Sequence, residues 1–339
     1  MKRSLSDCRA LVTGASGFVG AWLTHHLIEQ GAEVTSVLSE FNPRSQFAKL
    51  GLDKEIRCYY GSIADYNLIE RAITDGKINT IFHLAAVSLQ DLAYQIPWQT
   101  FETNVKGTYN LMEVCRVHQD QISKIIVASS DKVYGDSPDL PYDEGMPIQG
   151  RNPYDASKSC SDLISQSYRH SFNLPIVIGR FGNIFGGGDL NFRRLIPGTI
   201  QRLYANLPPI IRIPSNGIYM RDFLYIQDLM AAYMAMYHYV NDEANGTVFN
   251  FGTGKLWDIK KVTEIIQRVM NLEHIEPLYE HQKNSEILHQ HLSPEKAKSI
   301  LNWSADTSLE EGIRKTVEWY HNYWNSDSKN AALGLITHE

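Results

Sequence analysis

The chain has 339 residues, 43% of them hydrophobic, and a formal net charge of −6 at pH 7. That length exceeds one simple core and suits two lobes. The acidic balance, without a lysine–arginine run, excludes an electrostatic nucleic-acid binder and favours a small-molecule partner. Cys8, Cys58, Cys115 and Cys160 are widely spaced with no C-x-x-C pair, which argues for reduced thiols and against a zinc site or disulfide framework. The opening MKRSLSDCRALVTG leads into a strand-like run, and no apolar stretch approaches membrane-spanning length. A soluble cytoplasmic protein with no membrane, nucleic-acid or metal partner is expected.

In chain order, β-rich apolar runs at Ala10 to Thr13, Val34 to Leu38, Thr80 to Leu84, Ile125 to Ala128 and Pro175 to Gly179 alternate with helical patterns near 18–30, 67–74, 101–119 and 154–172. This alternation predicts an α/β fold with a doubly wound parallel sheet. After Gly182 the texture changes to GGGD, LIPG, NLPP and RIPSNG loops, then to helical patterns near 227–240, 259–270 and 308–326. We expect one domain over 1–183 and a smaller C-terminal lobe over 184–330, with VFNFGTG at 248–254 a candidate to return to the first domain.

TGASGFVG places Gly14, Gly17 and Gly20 where the first strand meets the first helix. Glycine permits the tight turn and the close approach of a pyrophosphate, and a helix start at Phe18 and Val19 offers positive partial charge. The pattern is that of a Rossmann-type dinucleotide site. After the second strand, VTSVLSEFNPR leaves two readings open: Glu40 holding the ribose diol of NAD, or Ser39 and Arg44 cradling the 2′-phosphate of NADP. NAD is the preferred cofactor. Leu84, Ala85 and Ala86 lie along it by strand-end placement, and His83 reads as structural.

In IIVASSDKVYG, Ser130, Asp131 and Lys132 emerge from the carboxyl end of a buried strand, where ligands bind in an open α/β sheet. In NPYDASKS, Tyr154 and Lys158 stand about one helical turn apart, so an ammonium can lower the phenol's pKa. Such a phenolate can take a proton from a substrate alcohol as hydride leaves. Tyr279 and Lys283 repeat the spacing but lack a preceding strand ending in Ser-Ser-Asp, and read as a surface segment. Trp98, Trp257 and the aromatic C-terminal helix read as packing. Asn183, Arg194 and Arg221 are the candidates for a substrate diphosphate, because guanidinium groups match phosphate oxygens in a fork geometry.

TGASGFVG, FHLAA at 82–86, Asn104-Val-Lys-Gly-Thr108, the Ser130 region, Tyr154-x-x-x-Lys158, RFGNIFG at 180–186, RDFLYIQD at 221–228 and NFGTG at 250–254 together resemble the extended short-chain dehydrogenase/reductases of the NAD-dependent epimerase/dehydratase family, which act on nucleotide sugars. The resemblance spans nearly the whole chain. It implies an NAD(P)-binding Rossmann domain, a nucleotide-sugar lobe, and cofactor contacts from Asp65, Leu84, Ala85, Ala86, Asn104, Tyr154 and Lys158. It also implies a homodimer through a four-helix bundle built from the helices near 101–119 and 154–172.

Asp131-Lys132 and GNIFGGGDLNFRRLIPG are similar to CDP-glucose 4,6-dehydratases. Inverting UDP-N-acetylglucosamine 4,6-dehydratases resemble the Asp-Lys pair too, RDFLYIQD is closer to the dTDP-glucose and GDP-mannose dehydratase pattern, and Leu92 stands where many relatives carry Arg. The resemblance implies a nucleotide-sugar 4,6-dehydratase, with a 4-epimerase and a non-catalytic NAD-binding protein as alternatives. In the dehydratase, Tyr154 takes the 4-hydroxyl proton, Ser130 holds that oxygen and Lys158 steadies ribose and phenolate. Lys132 is then the base at C5, a role open to a lysine of depressed pKa, and protonated Asp131 helps the 6-hydroxyl leave.

Overall fold

The computed structural model describes residues 4–214, 217–240, 248–282 and 287–326. Seven strands form its central sheet: β1 (Arg9–Thr13), β2 (Glu33–Leu38), β3 (Arg57–Tyr60), β4 (Thr80–His83), β5 (Lys124–Ser130), β6 (Ile176–Phe181) and a last strand, Val248–Phe251. Their order is Val248–Phe251, β6, β5, β4, β1, β2, β3, and every pairing is parallel. This is the expected doubly wound, Rossmann-type α/β fold. The inner strands β1, β4 and β6 are buried almost throughout, which their Val- and Ile-rich runs anticipate. The edge strand β3, Arg-Cys-Tyr-Tyr, is exposed at both ends, so no apolar run announced it. Strand order reverses between β1 and β4, and their carboxyl ends open the crevice in which such folds bind ligands.

Three boundaries differ from expectation. β5 continues through Ser129 to Ser130 and β6 through Arg180 to Phe181, because their polar residues find buried partners. The pattern at 101–119 is a broken element: Pro97–Phe101, one π turn at Glu102–Lys106, then Gly107–Val117. At the break the Asn104 carbonyl accepts from Thr108 Oγ1 at 2.6 Å and Ser161 Oγ at 2.7 Å, a competition that loosens the regular ladder. The helix Ile226–Tyr239, expected in the second lobe, packs on β5, β6 and the helix Phe18–Glu29. Both it and Val248–Phe251 therefore return to the central layer, and Phe181 stacks on Phe251 with centroids 5.3 Å apart.

The remaining strands form small sheets. Asn183–Phe185 pairs with Phe223–Tyr225, Met220–Arg221 lies between Trp257–Asp258 and His289–Gln290, and Ile210–Pro214 pairs with Leu278–Gln282. The acids of RDFLYIQD act as fasteners. Asp222 accepts from Thr253 N, Thr253 Oγ1 and Gly254 N, while Asp228 accepts from Asp306 N, Thr307 N and Thr307 Oγ1.

Trp98 is 75% exposed and is no packing residue, whereas Tyr320 and Trp324 of the C-terminal helix are buried. Tyr279 lies exposed on its strand. Residues 1–3, 215–216 of the RIPSNG loop, Lys283 and 327–330 of the expected second lobe lie outside the described residues. Cys8 and Cys115 are buried, Cys58 is half-buried, Cys160 is exposed, and none forms a disulfide. Among the described residues no helix is long and apolar enough to cross a membrane.

A buried ion pair joins the helix Pro153–Phe172 to the sheet. Arg180 Nε and Nη2 donate to Asp162 Oδ2 and Oδ1 at 2.9 and 3.0 Å, and Ser129 Oγ and Gln166 Nε2 add donors at 2.6 Å each. Arg180 Nη1 reaches Tyr134 Oη at 2.8 Å, and that hydroxyl donates to Asn250 Oδ1 at 2.7 Å. Asp162→Ala leaves the guanidinium, 3% exposed, without its counter-charge. The expected loss in urea unfolding is about 3–5 kcal/mol. The paired replacement Asp162→Leu with Arg180→Met should lose much less, and equal losses would contradict this account.

Candidate active site

At the end of β1 the chain turns through Gly14 at φ 77°. A Cβ there would stand 2.9 Å from Ala85 N, and one on Gly20 would stand 2.0 Å from the Gly14 carbonyl. Both positions require glycine, because backbone occupies the space a side chain would need. The helix Phe18–Glu29 has no side-chain cap and no acid in its first turn, so its leading N–H groups at Phe18 and Val19 remain available to an anion. These features fit a dinucleotide pyrophosphate. Ser39, Glu40 and Arg44 are exposed beyond β2.

Across the crevice, Leu84 to Ala86 leave β4 half-buried. Ala85, Ala86, Asn104, Ala128 and Lys158 line one small cleft. Asn104 does not offer its side chain to a ligand there. Oδ1 accepts from Val87 N at 2.7 Å, and Nδ2 donates to Val87 O at 3.1 Å and Ser157 Oγ at 2.8 Å. It shapes the cleft by tying the 84–87 loop to the next helix. Asp65 is exposed and caps the helix Tyr66–Asp75 through Leu68 N at 3.2 Å. The observed role of Asp65, expected as a cofactor contact, is thus a local structural one.

β5 delivers the reactive series. Ser130 Oγ donates to Asp131 Oδ1 at 3.0 Å and accepts from Lys132 N at 3.3 Å. Asp131 and Lys132 are 3% and 7% exposed, so neither is a surface charge. Lys132 Nζ donates to Gln290 Oε1. Tyr154 is the second residue of the helix Pro153–Phe172, which starts with proline, a favoured first helical residue because its missing N–H is not needed there.

Burial pushes the Tyr154 phenol up to about 12. Its Ser130 contact and the Arg194 charge oppose that rise, and Asp131 and Asp155 add to it. The Lys158 ammonium, expected to act directly on the phenol, instead donates to the Ala128 carbonyl. Burial lowers its pKa to about 8 against the pull of Asp162.

Two residues that carried no sequence signal complete the centre. Asp155 is buried and accepts from Gln90 Nε2 at 3.1 Å. Burial raises its pKa, Gln90 and Lys132 lower it, and Asp131 raises it further. Gln290 lies 158 residues from its partner Lys132, and only the fold unites them.

The expected substrate residues diverge. Asn183 Nδ2 is buried without a hydrogen-bond partner, an open donor facing a cost unless a ligand meets it. Arg194 is partly exposed and pairs with Asp189 at 2.9 Å. Arg221 is buried over the Tyr219 ring, with Nη1 on the Met220 and Leu288 carbonyls, so it braces strands as well as carrying charge. Among the described residues no His, Cys, Asp and Glu cluster forms a metal-ligand set.

The family model for GDP-mannose 4,6 dehydratase matches residues 11–316. A CDP-glucose 4,6-dehydratase of Salmonella typhimurium is 30% identical over 93% of this chain and 91% of its own. A dTDP-D-glucose 4,6-dehydratase of Homo sapiens is 28% identical over 94% of this chain and 92% of its own. A solved dTDP-glucose 4,6-dehydratase of Bacillus anthracis in complex with NAD shares the fold, with a TM-score of 0.80 and 23% identity over 92% of this chain and 96% of that one.

His83 supports the crevice as a neutral ring. Thr13 Oγ1 accepts from Leu84 N and Ala85 N, both at 3.1 Å, so its proton goes to His83 Nδ1 at 2.9 Å. Thr108 Oγ1 gives its proton to Asn104 and accepts from Nε2 at 2.9 Å, which selects the Nε2–H tautomer. Burial, with the Lys158 charge, lowers the His83 pKa from 6.5 to about 3. A depressed imidazole contributes stability that is full above its unfolded pKa and lost as pH falls toward the folded one. Urea unfolding should lose about 2 kcal/mol from this ring between about pH 6.5 and about pH 5. His83→Gln should flatten that slope, and an equally acid-sensitive variant would contradict the assignment.

Proposed function

The chain belongs to the GDP-mannose 4,6-dehydratase family, and from that premise we propose that it is a hydro-lyase. It converts a nucleoside-diphosphate hexose to the 4-keto-6-deoxy product by C4 oxidation, loss of water across C5 and C6, and hydride return to C6. The observation that carries this reading is the burial of Asp131 and Lys132 beside Ser130 and Tyr154. Oxidation at C4 alone needs Ser130, Tyr154 and Lys158. Two further buried proton carriers have a task only when a proton leaves C5 and a hydroxyl leaves C6.

Bound NAD supplies the acceptor of the C4 hydride and its donor to C6. The turn of Gly14, Gly17 and Gly20 and the N–H groups of Phe18 and Val19 would hold its pyrophosphate, Glu40 its ribose, Asp65 its adenine end, and Leu84 to Ala86 with Lys158 its nicotinamide end. Tyr154 accepts the 4-hydroxyl proton while Ser130 holds the oxygen. Its phenol, raised to about 12, is a strong proton acceptor once ionised. Lys158, near 8, exchanges protons close to neutral pH. The ketone at C4 acidifies the C5 hydrogen, which Lys132 removes, and Asp131 protonates the departing 6-hydroxyl. Asn183, Arg194 and Arg221 hold the diphosphate.

CDP-glucose is the preferred substrate, supported by Asp131-Lys132 and by likeness to the Salmonella enzyme. Incubation with NAD and CDP-, UDP-, dTDP- or GDP-hexoses, read by mass spectrometry and proton NMR, should show water loss and a new 6-methyl signal with the CDP sugar. A 4-epimer without mass change would make this an epimerase. Lys132→Ala should retain C4 oxidation and slow water loss about 100-fold or more.

A homodimer through a four-helix bundle is part of the proposal. Phe101, Tyr109, Val117, Leu163 and Phe172 are exposed on the helices that would form it, an apolar surface suited to a second copy. Leu163→Glu should shift sedimentation to the monomer, and an unchanged wild-type dimer would place the interface elsewhere.

A further inference from the structure

The base assigned to C5 is held from a distant part of the chain. Lys132 Nζ donates to Gln290 Oε1, and Gln290 is 0% exposed. Its strand is fixed on both sides. His289 and Gln290 pair in parallel with Met220 and Arg221, and Arg221 Nη1 binds the Leu288 carbonyl at 2.8 Å. On the other side Tyr142 N donates to His291 O at 3.0 Å and Ser293 N to Tyr142 O at 2.8 Å. A side chain buried on a strand so anchored has little freedom, and neither does the amine it holds.

We infer that Gln290 is a positioning residue for the elimination step, fixing Lys132 so that the amine lone pair meets the C5 hydrogen. The inference rests on the dehydratase reading. In that step Lys132 Nζ takes the C5 proton, the C5–H electron pair becomes the C5=C6 bond, and the C6–O pair leaves with the hydroxyl, which Asp131 protonates to water. One N–H held by an amide oxygen directs the lone pair elsewhere. The neutral amide also matters. Asp131 beside Lys132 and Asp155 on the neighbouring helix already present carboxyl groups to this lysine, and an amide holds it without adding a third.

The test compares wild type, Gln290→Met, Lys132→Ala and the double variant with the accepted nucleotide hexose. Gln290→Met should slow water loss about 10- to 100-fold, leave KM near wild type, and accumulate the ultraviolet absorbance of reduced nicotinamide because C4 oxidation outruns elimination. In the Lys132→Ala background it should add no further loss. Oxidation and water loss slowed equally, or losses that multiply in the double variant, overturn the inference alone. Wild-type protein that removes water from no nucleotide hexose overturns the dehydratase reading and this inference with it. Should Gln290→Met fail to fold, the isosteric Gln290→Glu serves: its pH profile for water loss should move upward, and an unmoved profile overturns the inference.

Discussion

The bidentate pair between Asp162 and Arg180 is the contact around which the centre is arranged. A guanidinium within the sheet must meet a carboxylate, because an unmatched buried charge is far costlier than a matched one. Arg180 belongs to β6 and Asp162 to the helix Pro153–Phe172, so their geometry sets where that helix lies on the sheet. Ser129 of β5 donates to the same carboxylate, which places the adjacent Ser130 at the strand end. Lys158, one turn before Asp162, then reaches the Ala128 carbonyl, and Tyr154, one turn earlier still, comes to Ser130. The positions of the candidate side chains are thus consequences of a structural contact lying beneath them.

Around that frame the electrostatics are divided. Burial raises Tyr154, Asp155 and Asp222 and lowers Lys158, in each case by penalising the charged form. The same burial would be destructive without partners. Asp155 meets Gln90, Asp222 meets the 253–254 backbone and Lys132 meets Gln290. Each partner comes from a different part of the chain, which couples the centre's integrity to the packing of distant segments.

Much of this was legible locally. The strand–helix alternation announced the parallel sheet, and TGASGFVG announced the tight turn whose glycines the packing of Gly14 on Ala85 and Gly20 on the Gly14 carbonyl requires. The series Ser130 to Lys132 was readable as a strand end because an apolar run stops there. Asn104 stands in a recurrent motif as a ligand candidate, and its structural ties to Val87 and Ser157 appear only in the fold. The packing of the helix Ile226–Tyr239 on the central sheet was not legible, because the loop-rich texture after Gly182 reports local composition and not long-range contact.

By itself, then, the sequence determined the fold class, the glycine turn and the candidate site residues, since those depend on residue types and short spacings. Only the tertiary structure decided which groups surround and hold them. Lys158 turned to the sheet and not onto the phenol, Asp155 became a buried acid, and Gln290 crossed 158 residues to hold Lys132. Those outcomes depend on burial and long-range contact, which are properties of the packed chain and have no counterpart in its local order.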